Sequence, residues 1–248
     1  MIKRQLADYV RTPLRQLRNM LRHIPYRGAG RYCPVCKKSS NRFGEAGIDI
    51  RQDARCMYCG AVERHRLIWF YFEEKTDLFD GRQKNMLHVA PEPNFEKMLR
   101  KRLGQGYLTA DLYNPQAMIK MDITDIEYPD DSFDVIYCSH VLEHVPDDRR
   151  AMRELHRVLK PDGWAVLMVP ITSEETYEDP SITDPAERLK HFGQSDHVRR
   201  YGPDYVERLR EAGFCVEISS PDGMLREAEV AQMGFDRSEE IYFCTKCS

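Results

Sequence analysis

Cysteine and histidine supply most of the chemistry available to this 248-residue chain, and their spacing sorts them into sets. Cys33-Pro-Val-Cys36 and Cys56-Met-Tyr-Cys59-Gly60 are two C-x-x-C knuckles 19 residues apart. That spacing brings four thiolates around one tetrahedral Zn2+. Four cysteines leave no open coordination position, so the metal is expected to be structural. The polar linker between the knuckles has too little apolar material for a core of its own, and metal would supply the missing folding energy. His65 is a weaker alternative ligand, and two disulfides are the alternative to metal in an oxidising compartment. A third C-x-x-C, Cys244 to Cys247, has no partner pair nearby and begins inside a strand pattern, so it reads as incidental. Cys138 and Cys215 read as core residues.

A second set lies in His140-Val-Leu-Glu143-His144. H-x-x-E-H puts two metal ligands on one helical face in some metalloproteases, but here the motif directly follows a buried strand, a context that rejects protease chemistry. A third set, Asp196, His197, Arg199, Arg200 and Tyr201, crowds the end of a long polar connection and is able to bind anionic or hydroxylated groups. The other reading of that set is an ion-paired anchor for the connection.

The elements that must hold these sets are legible from periodicity. Phe133 to Cys138 and Trp164 to Val169 are short apolar runs, as expected of strands buried on both faces of a sheet. Between them Met152, Leu155, Val158 and Leu159 recur at helical spacing after a capping Asp147 or Asp148, before Lys160, Pro161 and Gly163. This is a β-α-β unit, and open sheets built from such units bind ligands beyond the carboxyl ends of their strands. Lys84 to Ala90 and Tyr107 to Asp111 read as the first two strands, Phe214 to Ser219 and Ile241 to Thr245 as the last two. Helices are expected over Glu63 to Phe79, Pro203 to Ala212 and part of Gly223 to Gly234. Residues 171–201 leave the fifth strand as a long connection, placed to act as a lid over the site. The segmentation is a basic amphipathic helix (1–30), a zinc-binding module (31–62), a linking helix (63–83) and an α/β domain (84–248).

DITDIEYPDDSFDVIYCSHVLEHV followed by RELHRVLKPDGWAVLMVP resembles the heart of class I S-adenosylmethionine-dependent methyltransferases, specifically the methyltransferase type 11 group. The similarity runs from about Met86 to Phe214. It implies a Rossmann-like sheet with helices on both faces and S-adenosylmethionine as cofactor. At the place of the family's glycine-rich loop stand Ala90, Glu92 and Asn94, with Pro91 and Pro93 withdrawing two backbone donors. Glu92 could therefore meet the cofactor's ammonium directly. Asp111, followed by Leu112, occupies the ribose position; Asp122 and Ile123 resemble the motif that holds the adenine; Ser139 and His140 would line the sulfonium end. Quinone O-methyltransferases related to this group carry E-x-x-E-H at residues 140–144 beside a divalent metal, and His140 departs from that pattern. For a hydroxyl acceptor the expected base is His144 or His197, oriented by Glu143 or Asp196.

Composition narrows the partners. Hydrophobic residues at 42% and charged residues at 31% are ordinary globular values, and no apolar run approaches a membrane span. With no signal-peptide pattern at the N-terminus, a cytoplasmic location is expected. The net charge of −3 divides into +8 over residues 1–83 and −11 over residues 84–248. A basic module beside an acidic domain hints at an anionic partner: RNA, a phosphorylated glycan, or a membrane surface met peripherally by the N-terminal helix. The leading expectation is methyl transfer to a small-molecule or glycan-type acceptor. The alternatives are an RNA base methyltransferase with a zinc module, and a non-catalytic binding protein on the same fold.

Overall fold

The computed structural model describes residues 24–47 and 50–247. Most of the expected N-terminal amphipathic helix lies outside them, and Ile24–Tyr26 forms one 3-10 turn. Contacts divide the chain into two compact units, residues 1–71 with 225–236, and residues 72–224 with 237–248. Residues 225–236 thus group with the cysteine-bearing segment, although the sequence reading placed them in the α/β domain. Among the described residues no helix is long and apolar enough to cross a membrane.

In the first unit the inter-knuckle linker, read as loop from sequence, forms parts of two small antiparallel ribbons. Strand β1 (Arg31–Cys33) pairs with β2 (Lys38–Ser40), and β3 (Gly44–Ala46) with β4 (Arg51–Arg55). Both knuckles close alike: the Lys37 amide donates to the Cys33 carbonyl and the Gly60 amide to the Cys56 carbonyl, each at 2.8 Å. Lys37 and Gly60 both adopt positive φ, 58° and 80°. Glycine at 60 fits that region without strain, whereas the lysine at 37 occupies it against its preference.

Arg66, fully buried on the helix Glu63–Glu74, ties this unit together. It donates to the carbonyls of Ala54 and Ala61 at 2.7 and 3.0 Å, and to those of Met233 and Gly234, both at 2.6 Å. Its guanidinium lies 4.0 Å from the centre of the Phe43 ring. Burial lowers its pKa, while the neighbouring Cys33, Glu63, Cys56 and Cys59 favour the cation. The helix ends at Glu74, short of the expected Phe79, because the Thr76 hydroxyl takes the Phe72 carbonyl at 2.8 Å and then receives the Leu78 amide.

The second unit is a seven-stranded sheet. Its strands are β5 (Met86–Val89), β6 (Tyr107–Asp111), β7 (Ile119–Lys120), β8 (Phe133–Ser139), β9 (Leu159–Met168), β12 (Phe214–Ser219) and β13 (Ile241–Lys246). A separate two-stranded ribbon in the lid accounts for β10 (Tyr177–Glu178) and β11 (Arg199–Arg200). The sheet order is β12-β13-β9-β8-β5-β6-β7. All neighbours are parallel except β13, which runs antiparallel to both β9 and β12. After β5 the chain moves one way to β6 and β7, then returns to β8 on the other side of β5. The crevice beyond β5 and β8 is therefore the switch point of the sheet.

Both faces of the sheet are covered, which is why β5, β8 and β9 read as continuous apolar runs. Leu87, Ile136, Cys138 and Leu167 pack with Met152, Leu155 and Val158 of the helix Asp148–Val158. The opposite face holds rings: His88, Phe95, Tyr137 and Phe72, with Trp164 against Phe72. The helix begins at Asp147, whose side chain accepts from the Arg150 amide at 2.9 Å. β9 starts directly at Leu159 and passes irregularly through Pro161 before its regular pairing from Trp164. Gly163 is required there, since a Cβ would stand 2.7 Å from the Asp134 carbonyl. Cys215 departs from the expected core role: it is exposed and forms a disulfide with Cys247, because β12 is an edge strand with that side chain outward.

Candidate functional site

Ala90 follows β5 and His140 follows β8, and both adopt positive φ, 49° and 55°. Neither is glycine, so the chain holds two strained residues side by side at the switch point, where strain accompanies function. A cavity of about 550 Å3 opens there, within the ordinary size of small-molecule sites. Among the residues expected to hold the cofactor, Ala90, Asp111, Leu112, Asp122, Ile123 and His140 all line it, as does His144. Tyr113, 89% exposed at its rim, was not anticipated; its place after Asp111-Leu112 was the available signal.

The two acids are held alike. Asp111 Oδ1 accepts from the amides of Tyr113 and Asn114 at 2.7 and 2.8 Å. Asp122 Oδ1 accepts from the amide and hydroxyl of Thr124, both at 2.8 Å. Each turn fixes its carboxylate through one oxygen and leaves Oδ2 outside the turn. Such an arrangement can receive hydroxyl or amine hydrogens from a ligand without rearranging. Ile123, buried beside Asp122, offers a flat apolar contact.

Glu92 and Ser139, both expected to hold the cofactor, are not in the lining. Glu92 stands at the N-cap of the helix Pro93–Leu103, where its carbonyl accepts the Glu96 amide, because Pro93 begins that helix at once. Asn94 lies within the same helix. Ser139 ends β8, and its buried Oγ makes no hydrogen bond among the described residues.

The lid, residues 171–201, is not the open loop that its composition suggested. β10 and β11 pair, and a helix, Pro185–Phe192, is capped by Asp184 and ended by Gly193 at φ 87°. Arg199, 2% exposed, donates to the carbonyls of Leu142, Val145 and Pro146 at 2.8, 2.5 and 2.8 Å, and to Glu178 at 2.8 Å. Tyr201 donates to Asp148 at 2.6 Å, and Arg208 reaches both Asp148 and Glu178. Arg199 and Tyr201 therefore anchor the lid and do not face a ligand, and Arg200 is bonded to Thr172. Asp196 and His197 remain.

These two meet the turn after β8. His144 stands 4.6 Å, centre to centre, from the His197 ring and nearly perpendicular to it. Its Nδ1 lies 3.3 Å from the Asp196 carbonyl and 3.4 Å from the Asp196 carboxylate. Leu142–His144 is a tight 3-10 turn, and His140 Nδ1 lies 3.5 Å from the Glu143 carboxylate. Burial first, then the His144 charge, lowers the pKa of His197. An unprotonated imidazole therefore persists there to lower pH than usual.

The four cysteines of the first unit also converge. The Sγ atoms of Cys33 and Cys59 are 3.6 Å apart and those of Cys36 and Cys56 3.7 Å, with all four within 4.8 Å of one another. A tetrahedron with Zn–S bonds near 2.3 Å has edges of about 3.8 Å, so the set suits one zinc ion and neither pair is a disulfide. His65 is not in the set; its Nδ1 takes the Val62 amide at 3.4 Å.

Known proteins resemble this chain over part of its length. The uncharacterized methyltransferase YcgJ of Bacillus subtilis (strain 168) is 38% identical over 74 residues, 30% of this chain and 28% of that protein. The rat (Rattus norvegicus) thiol S-methyltransferase TMT1B is 30% identical over 137 residues, 54% of each chain. This chain thus spans about a quarter to a half of the curated relatives it matches. The solved structure of phosphoethanolamine N-methyltransferase 2 from Haemonchus contortus shares the fold at a TM-score of 0.50 and 13% identity, over 77% of this chain and 55% of that one. The strands that shape the cavity, β5 to β9, fall almost wholly within a further match: residues 75–167 fit the family model of the methyltransferase domain.

Proposed function

We propose that the chain is an S-adenosylmethionine-dependent methyltransferase acting on a small-molecule or glycan-type acceptor, with Zn2+ held by Cys33, Cys36, Cys56 and Cys59. One observation carries the reading: the cavity at the switch point is lined by Asp111 and Asp122, two carboxylates pinned by their own turns on either side of it. Asp111 would receive the ribose hydroxyls, Asp122 the adenine amine, and Ile123 the ring face. The bound cofactor supplies a methyl group already activated on a sulfonium. The chain has only to exclude water, align the acceptor and take its proton. His144 lines the same cavity, with Asp196 fixing its Nδ1 and His197 against its ring, so this pair is the proton acceptor. The relative named as a thiol S-methyltransferase favours a small acceptor.

Calorimetry with S-adenosylmethionine, followed by transfer of a labelled methyl group to cell fractions divided into RNA, glycan and small-molecule pools, tests the proposal. Binding with label in the small-molecule or glycan pool is expected. No binding would leave a non-catalytic protein on this fold, and label in RNA alone would replace the acceptor class.

A further inference from the structure

We propose that the acceptor is an amine free of phosphate and carboxylate groups, a small molecule or an amino sugar, selected by the one-signed charge of the cavity. The inference deepens the methyltransferase reading and rests on it. Of the residues that line the cavity, Asp111, Asp122 and Asp147 are acids, and among the described residues none is lysine or arginine. In that reading Asp111 and Asp122 are taken by the ribose and the adenine, which leaves Asp147, three residues after His144. A bound S-adenosylmethionine brings one net positive charge against three carboxylates, so the filled cavity would still be negative.

The lid does not reverse that sign. Residues 171–201 hold seven acids and four lysines or arginines, and each of the four is engaged. Arg188 donates to the Ile182 carbonyl at 3.1 Å and Lys190 to Glu187 at 2.6 Å, while Arg199 is spent on the turn after β8 and on Glu178, and Arg200 on Thr172. Glu174 and Glu175 are exposed and pair with no lysine or arginine among the described residues. A phosphate or carboxylate on the acceptor would therefore find no cation to receive it, whereas a cleft lined by one sign of charge concentrates ligands of the other.

The same field sorts nucleophiles. Neighbouring carboxylates oppose formation of an anion, so a hydroxyl or thiol in this cavity would hold its proton more tightly than in water, while an ammonium is favoured there. The ammonium gives one proton to the His144 and His197 pair, in which burial above all keeps the His197 imidazole unprotonated. The freed nitrogen lone pair then forms the new N–C bond as the C–S bond breaks with its electrons left on sulfur. The products are a methylated ammonium, a neutral thioether and one imidazolium. Positive charge is conserved, and no anion forms at any point.

Two measurements on the full chain test this. Calorimetry compares S-adenosylmethionine with S-adenosylhomocysteine, which carries one positive charge fewer. Raising NaCl should weaken the first more than the second, by about threefold. Asp147→Asn, whose side-chain oxygen can still cap the helix, should narrow that gap. Equal salt responses would show a cavity without the proposed charge and overturn the inference. The labelled product of methyl transfer to cell fractions is then passed over a cation exchanger at neutral pH. Retention is expected, of small-molecule label directly or of glycan label after acid hydrolysis, and the pool distinguishes a free amine from an amino sugar. Label that flows through, or label confined to RNA, sinks this inference and leaves methyl transfer standing. Absence of S-adenosylmethionine binding removes the methyltransferase reading itself, and the inference with it.

Discussion

The four-cysteine unit and the sheet unit are held by opposite means. In the first, strands of three to five residues accompany four converging sulfur atoms and a buried guanidinium, and among the described residues no strand is long enough to hold itself. In the second, two continuous apolar layers cover a seven-stranded sheet, and the titratable groups that matter lie at its edge. With the proposed Zn2+ in place, a unit of the first kind would depend on one ligand, while a unit of the second kind depends on many small contacts. Perturbations that discriminate between these dependences should therefore act on one unit and spare the other.

The largest expected effect is metal removal. Structural zinc contributes on the order of 10 kcal/mol to folding, so a strong chelator, or Cys56→Ser, should abolish protected amides over residues 31–71 while the sheet keeps its own. Hydrogen exchange measures both at once. Retained protection around the knuckles in zinc-free protein would show that the unit does not need metal. Next comes the sheet core: Leu155→Ala, at a fully buried position, should cost about 2–5 kcal/mol. Its denaturant midpoint should fall with zinc content unchanged; a matching loss of zinc would make the two units one cooperative structure.

A smaller change is expected at the cavity. Asp111→Ala should weaken S-adenosylmethionine binding by about 1–3 kcal/mol, read by calorimetry, with both units' stability nearly unaltered. Native affinity in that variant would place the cofactor elsewhere. The smallest effect belongs to the lid. Burial works to raise the Glu178 carboxyl, but hydrogen bonds from Arg208 and Arg199 prevail and hold it below its usual 4.5. A depressed carboxyl contributes stability that is fully present above pH 4.5 and is lost as pH falls through the lowered value. Protease protection of residues 171–201 should accordingly decline only below pH 4.5, and Glu178→Gln should flatten that decline. The same acid profile in both proteins would exclude Glu178 as its source.

How far each region could be read from sequence follows the same division. β6 over Tyr107–Asp111 was legible to the residue because a largely buried strand writes its length as apolar character, and the edge strand β12 over Phe214–Ser219 because Gly213 and Pro221 bracket it. The acids of the cavity were legible because strand ends locate them. The lid was not: Arg199, Tyr201 and Arg208 form one buried network with Asp148 and Glu178, partners 21 to 60 positions distant in sequence. Composition shows charges, and only the fold shows which are spent on each other. The meeting of His144 with His197 joins residues 53 positions apart, which no local pattern encodes.

Arg66 sets the order in which the chain can be completed. Its bonds to Met233 and Gly234 span 167 and 168 positions, so the unit that begins first during synthesis is finished nearly last. The ribbons and their cysteines emerge early, yet the carbonyls that complete the guanidinium's shell follow only after β12 has been made. Until then a buried cation lacks half its partners, a costly state for a protein interior. Long loop closure is slow as well. The N-terminal unit should therefore remain open on the ribosome while the sheet assembles, and cutting the chain at residue 224 would leave it incomplete.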